Sequence, residues 1–132
     1  MGARLEFCGN YIEIINFSYI SENRQPGDPL YCTFDIKIRS GVFSGIADGC
    51  EYDHQEWKKF ISSLEDLINF RIKKTSLFET GYGNRIDLEC DRTGHIRVSG
   101  EIYGDACSHY LKFEFDTDQT AFPPFINALK SL

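Results

Sequence analysis

The cleanest alternation in the chain runs from Cys32 to Arg39, where Cys32, Phe34, Ile36 and Ile38 are apolar and Thr33, Asp35, Lys37 and Arg39 are polar. A period of two with one wet face predicts a half-buried strand. The same rhythm returns in Ile86, Leu88 and Cys90, set between Asp87, Glu89 and Asp91. It continues in Ile96, Val98, Gly100 and Ile102 against Arg97, Ser99, Glu101 and Tyr103, and then in Leu111, Phe113 and Phe115 against Tyr110, Lys112, Glu114 and Asp116. Turn formers at Asp91-Arg92-Thr93-Gly94 and Gly104-Asp105-Ala106 join these runs, which predicts an antiparallel meander. Leu5–Phe7 and Tyr11–Ile15 read as strand with a bend or bulge at Gly9-Asn10, and Val42–Ile46 returns after a Ser40-Gly41 turn. Leu77-Phe78 predicts a short strand before the Gly81-Tyr82-Gly83-Asn84 turn, and Ser21 to Pro29 is a loop dense in turn residues.

The period changes after Asp53. Trp57, Phe60, Ile61, Leu64, Leu67 and Ile68 recur at helical spacing and form one apolar stripe. Asp53 caps this helix, and Glu56 three residues on makes a version of the capping box. Arg71, Lys73 and Lys74 suit the negative end of its dipole. A second helix follows near the C-terminus, with Pro123 and Pro124 in its first turn and Phe122, Phe125, Ile126, Leu129 and Leu132 as its buried face. The expected architecture is α+β: one curved antiparallel sheet of about six to seven strands, with two helices packed on one face. Trp57, Phe60, Leu64, Phe122, Phe125 and Leu129 should share a core. No repeat or linker divides the chain, so residues 1–132 are expected to form one domain.

Composition narrows the function classes. With 42% hydrophobic and 26% charged residues, the chain is globular rather than disordered. No stretch approaches the ~18 apolar residues of a membrane span, and the N-terminus lacks the apolar core of a signal peptide, so a cytoplasmic location is expected. Asp and Glu outnumber Lys and Arg by 20 to 14, for a net charge of −6. That balance argues against nucleic acid as a partner, because phosphate contacts need a basic stripe. Five cysteines are scattered without a CxxC pair, which argues against structural zinc. Cys8, Cys32 and Cys90 beside apolar runs read as buried hydrophobes in a reducing compartment.

Chemistry has few candidates. Cys107 and His109 are two apart, with Asp105 nearby, and form the one nucleophile–base pair the sequence assembles. Asp87, Glu89 and Asp91 place three carboxylates on one strand face, without the spacing of a calcium loop. Either set leaves open a small hydrolase-like enzyme, set against the simpler reading of turn residues and a solvated sheet face. Neither points to a metal or cofactor. The outer sheet face offers Tyr103 and Tyr110 among Arg97, Glu101 and Glu114, and Tyr82 stands in its turn. Tyr and Arg are residues that anchor protein interfaces. Cross-strand charge pairing is the competing explanation for the same residues.

The C-terminal half also carries a resemblance. Gly94-His95-Ile96-Arg97-Val98-Ser99-Gly100-Glu101-Ile102, then Tyr110 to Phe115, then Asp116-Thr117-Asp118-Gln119-Thr120, and finally Phe125 to Leu129 resemble small bacterial proteins of the WapI-type immunity family and a related family of uncharacterised domains. The helix from Trp57 to Leu64 matches their central helix. Thr117-Asp118-Gln119-Thr120 is the most particular phrase, with Asp118 or Thr120 placed to cap the last helix. The resemblance implies a binding protein without catalysis that neutralises a cognate toxin in the cytoplasm of the producing cell. It assigns no contact residue. An assembly module without a toxin partner is the remaining alternative, and a basic toxin would be drawn to the acidic surface.

Overall fold

The computed structural model describes every residue except Met1, Asn23, Thr80 and residues 105–107. Strands β1 (Gly2–Phe7), β2 (Asn10–Ile20), β3 (Tyr31–Ser40) and β4 (Phe43–Asp53) precede helix α1 (His54–Ile68). Strands β5 (Lys74–Phe78), β6 (Arg85–Cys90), β7 (His95–Tyr103) and β8 (Tyr110–Asp118) precede a 3-10 turn (Gln119–Ala121) and helix α2 (Phe122–Lys130). The strands form two four-stranded antiparallel sheets, ordered β1-β2-β3-β4 and β5-β6-β7-β8. The α+β class therefore stands, and the single curved sheet of six to seven strands does not.

The reason lies in what alternation can specify. A strand with one apolar face asks to be covered, and a second sheet covers it as well as a helix does. Here β4 lies against β7, and β1 and β3 lie against β8. Gly45 allows the approach of β4, since a Cβ there would sit 3.3 Å from Leu111 Cδ2 and 3.4 Å from Ile102 Cδ1. The helices complete the enclosure. α1 packs on β4, β5 and β6, whereas α2 packs on β1 and α1. Leu5 and Ile14 of the first sheet, Leu77 and Ile86 of the second, Phe60 of α1 and Phe125 of α2 line one small apolar space. Trp57, Phe60, Leu64, Phe122, Phe125 and Leu129 are all buried in that common core. The helices thus share a core bounded by two sheets, not one face of a single sheet.

Local differences have local causes. The bend at Gly9-Asn10 is instead a two-residue hairpin, with Phe7 paired to Asn10 and positive φ at both Cys8 (53°) and Gly9 (84°). Cysteine is outside the Asn/Asp/Gly set such turns favour, so the hairpin was hidden. Cys8 is consequently exposed rather than buried, while Cys32, Cys50 and Cys90 are buried and free. β4 continues well past Ile46, because Asp48-Gly49 forms a bulge rather than a turn, with Gly49 at φ 61°. Asn16, at φ 56°, makes a matching bulge in β2. Asp35 on the strand between them holds both, accepting from Asn16 Nδ2 at 2.7 Å and from Gly49 N at 2.9 Å.

Helix α1 begins as the sequence predicts, with Asp53 Oδ1 accepting from the N–H groups of Gln55 and Glu56. Glu56 does not complete a capping box; its carboxylate meets Lys59 instead. At the other end Arg71 N donates to Asp66 O and Phe70 N to Leu67 O, a Schellman arrangement with Phe70 in the left-handed position at φ 59°. No basic residue lies in the last turn of α1; Arg71 instead pairs with Asp66. Asp118 caps the 3-10 turn ahead of α2 by accepting from Thr120 N at 2.9 Å.

Candidate functional site

The outer face of the second sheet is a lattice of opposite charges set by strand register. Lys74, Glu89, Arg97 and Asp116 lie opposite one another in one row across β5 to β8. Phe78, Arg85, Glu101 and Lys112 form another. Arg97 Nε lies 3.5 Å from Glu114 Oε1 and 3.8 Å from Asp116 Oδ1. Arg85 Nε donates to Asp87 at 2.9 Å, with its guanidinium 5.6 Å from the Phe78 ring centre. Exposed pairs of this kind are each worth about 0–1 kcal/mol. They organise the face more than they stabilise it.

The carboxylates read as a candidate catalytic or metal set do not converge. Asp87 is held by Arg85 and Ser76. Asp91 is turned into its own hairpin, where Oδ1 accepts from Thr93 Oγ1 and Thr93 N at 2.8 Å and from His95 N at 3.1 Å. The Thr93 hydroxyl, helped by the Thr93 and His95 N–H groups, holds the Asp91 carboxyl below its ordinary value. Among the described residues no three His, Cys, Asp or Glu side chains are grouped to hold a metal. Cys107 and Asp105 lie outside the described residues, so the pairing with His109 has no described geometry.

The tyrosines behave differently. The turn between β5 and β6 is built on Glu79, which is 1% exposed. Its Oε1 accepts from Tyr82 N at 2.9 Å and from Asn84 Nδ2 at 3.1 Å, and Asn84 Oδ1 accepts from Tyr103 N at 2.8 Å. This chain ties the turn to the end of β7. It leaves the Tyr82 ring 60% exposed. Tyr103 donates to Glu101 Oε2 at 2.6 Å, and its ring lies 6.0 Å from that of Tyr110. Facing them across the gap between the sheets, β4 contributes Ile46, Asp48 and Gly49. Together with Tyr82, Asn84, Tyr103 and Gly104 these enclose a groove of about 330 Å³. The structure thus brings Tyr82 and Tyr103 together and sets Tyr110 beside Tyr103, while Arg97 and Glu114 lie further along the sheet in charge pairs.

Beneath this groove, polar groups are unevenly satisfied. Glu79 Oε2 is buried with no hydrogen-bond partner among the described residues. It lies under Gly81, where a Cβ would come within 2.8 Å. Asn84 Nδ2 also approaches Cys50 Sγ at 3.5 Å. Burial, with Glu79, Asp35 and Asp48 nearby, pushes the Cys50 thiol up to about 12. Sequence reasoning passed over Ile46 and Asp48, because only the β4–β7 contact makes them neighbours of the tyrosines, and over Glu79, because its burial arises only when Tyr82 and Asn84 fold back over it.

A second, larger concavity of about 420 Å³ lies between the helices, lined by Tyr19, His54, Trp57, Ile61 and Leu129 with Lys58, Glu65 and Lys130 at its polar side. The Tyr19 ring meets the His54 ring edge-on at 5.0 Å. His54 Nδ1 is buried there without a partner among the described residues. Helical periodicity identifies Trp57 and Leu129 as core and gives no sign that they also border a surface cleft.

The second sheet thus presents a tyrosine-rimmed groove at one end and a face of paired charges beside it. The chain belongs to the immunity protein WapI-like family, whose model matches residues 9–132. No curated protein and no solved structure matches it significantly. Among the described residues no helix is long and apolar enough to cross a membrane.

Proposed function

We propose that this protein binds a cognate polymorphic toxin directly and neutralises it in the cytoplasm of the cell that makes the toxin, with no catalysis of its own. The observation that carries the reading is the family match over residues 9–132. The site geometry supports it. Tyr82, Tyr103 and Tyr110 cluster at one end of the second sheet, large rigid side chains of the kind that anchor interfaces. Glu101 joins this cluster through Tyr103, and Arg97 and Glu114 form a charged rim along the same face. Rim charges of this kind tune encounter more than affinity. The net charge of −6 favours a basic toxin, and association with one should slow as salt is added.

The test is co-expression with the toxic C-terminal domain of a candidate toxin taken from a neighbouring reading frame. The protein should restore growth and bind a catalytically silenced form of that domain in calorimetry. Tyr103→Ala combined with Tyr110→Ala should weaken binding by more than about 30-fold while the fold still melts cooperatively. Equal toxicity with and without the protein would refute the immunity reading.

A further inference from the structure

The groove between β4 and the end of β7 has a chemical bias that its tyrosines alone do not explain. Among the described residues its lining includes one charged side chain, Asp48, and no Lys, Arg or His. A second carboxylate, Glu79, lies below it in the same hydrogen-bonded turn that displays Tyr82. One oxygen of that carboxylate has neither a counter-ion nor a donor among the described residues. A buried carboxylate in that condition is costly unless positive charge is brought near it. Burial is the main reason the Cys50 thiol is raised, and Glu79, Asp35 and Asp48 add to it by disfavouring a further negative charge beside them. The helix groove, by contrast, carries Lys58 and Lys130.

We propose that this groove is a socket for one arginine side chain of the partner protein, inserted between Tyr82 and Tyr103 with Asp48 as its ion-pair partner. The inference rests on the immunity reading and adds to it the docking surface and the chemistry recognised there. Arginine fits better than lysine for two reasons. A planar guanidinium stacks on aromatic faces, and its fork of donors can meet a carboxylate while its plane stays against a ring. The space of about 330 Å³ is open between two sheets, so a long side chain can enter along the gap without displacing the core. Ile46, 46% exposed, provides an apolar wall for the methylene stem.

The experiment is calorimetric titration of the silenced C-terminal toxin domain into the wild type and into Asp48→Lys, Asp48→Asn and Tyr82→Ala. Both positions are exposed, so these variants should fold, and a thermal melt checks it. Asp48→Lys should lower affinity by about 100-fold or more, and Tyr82→Ala by about 10-fold to 100-fold. Replacing the toxin domain's arginines one at a time by alanine should identify a single position that couples to Asp48 in a double-mutant cycle, while Lys58→Ala on the helix side couples to none. Wild-type binding with unchanged affinity in Asp48→Lys and Tyr82→Ala would overturn the socket and leave the immunity reading standing. Absence of wild-type binding would overturn both.

Discussion

Replacing Gly100 by alanine should be the most damaging single-methyl insertion in the second sheet. A Cβ at Gly100 would stand 1.9 Å from the carbonyl oxygen of Arg85, 2.9 Å from its carbonyl carbon and 3.1 Å from Ile86 Cα. Comfortable non-bonded contact begins near about 3.5 Å, so the shortest of these falls roughly 1.6 Å short. Relief must come from backbone. Gly100 pairs with Ile86 on one side and Phe113 on the other, so β7 cannot retreat from β6 without disturbing β8. Overpacking costs about 1–3 kcal/mol and two distorted ladder bonds about 0.5–1.5 kcal/mol each, which together give about 2–6 kcal/mol. At about 2.1 cal/mol/K per residue, 132 residues carry about 0.28 kcal/mol/K at the midpoint, so Tm should fall by about 7–21 °C. Gly45→Ala is the matched control. Its Cβ comes closest to the ends of Leu111 and Ile102, at 3.3 and 3.4 Å, with Leu111 Cβ in ordinary contact at 3.7 Å, and those ends can rotate away at a cost of about 1 kcal/mol or less. Calorimetric melting of the two variants settles the matter. A Gly100→Ala protein melting within about 3 °C of wild type would refute the steric argument.

Four further outcomes are expected. Asp35→Ala should lower stability by about 2–3 kcal/mol in urea titration, because it frees the Gly49 N–H and the Asn16 amide that hold the two bulges; a loss under about 0.5 kcal/mol would show that the bulges stand alone. Phe70→Gly should raise stability by up to about 1 kcal/mol, since a bulky side chain at φ 59° is strained and glycine is not; a lower Tm would mean that the exposed ring contributes more than the strain removes. Asp91 has a folded pKa below its unfolded value of about 3.9, so its contribution is present above that pH and lost as pH falls through the folded value. The Tm gap between wild type and Asp91→Asn should therefore be flat at neutral pH and close in acid, and a gap independent of pH would contradict this. Finally, burial lifts the Cys32 thiol to about 11 and the Cys50 thiol to about 12 and raises Cys90 too, so mass-mapped thiol labelling at neutral pH should modify Cys8 and spare those three until the protein is denatured.

Much of this arrangement is written in local pattern, and the exceptions share a cause. The alternations at Cys32–Ile38, Ile86–Cys90, Ile96–Ile102 and Phe113–Phe115 each put their apolar members inside, and the stripe from Trp57 to Leu67 did the same for α1. These features depend only on which side of an element faces water. What alternation leaves undetermined is the identity of the cover, and here β4 meets β7 where helices alone were expected. Positive φ at Cys8 and the Asp48-Gly49 bulge were equally hidden, because their residue types or their neighbours suggested something simpler. The candidate site follows the same rule. Tyr82, Tyr103 and Tyr110 are conspicuous by residue type, whereas Glu79 follows Phe78 like any solvated acid. Its burial depends on Asn84 and Tyr82 folding back over it.

The strand order has a consequence for how the chain finds its shape. Every strand pairs only with its neighbours in sequence, first through residues 2–53 and then through residues 74–118, and each run of four ends in a helix. Pairing within each run is therefore a succession of short loop closures, which cost little conformational entropy and form quickly. The one distant step is closing the first run onto the second, and that step buries the apolar faces of both. Until it happens, each half is a sheet with one side bare. Closure of the halves is the step that contact order expects to be slowest, and the groove between β4 and β7, lying on their seam, exists only once the halves have closed.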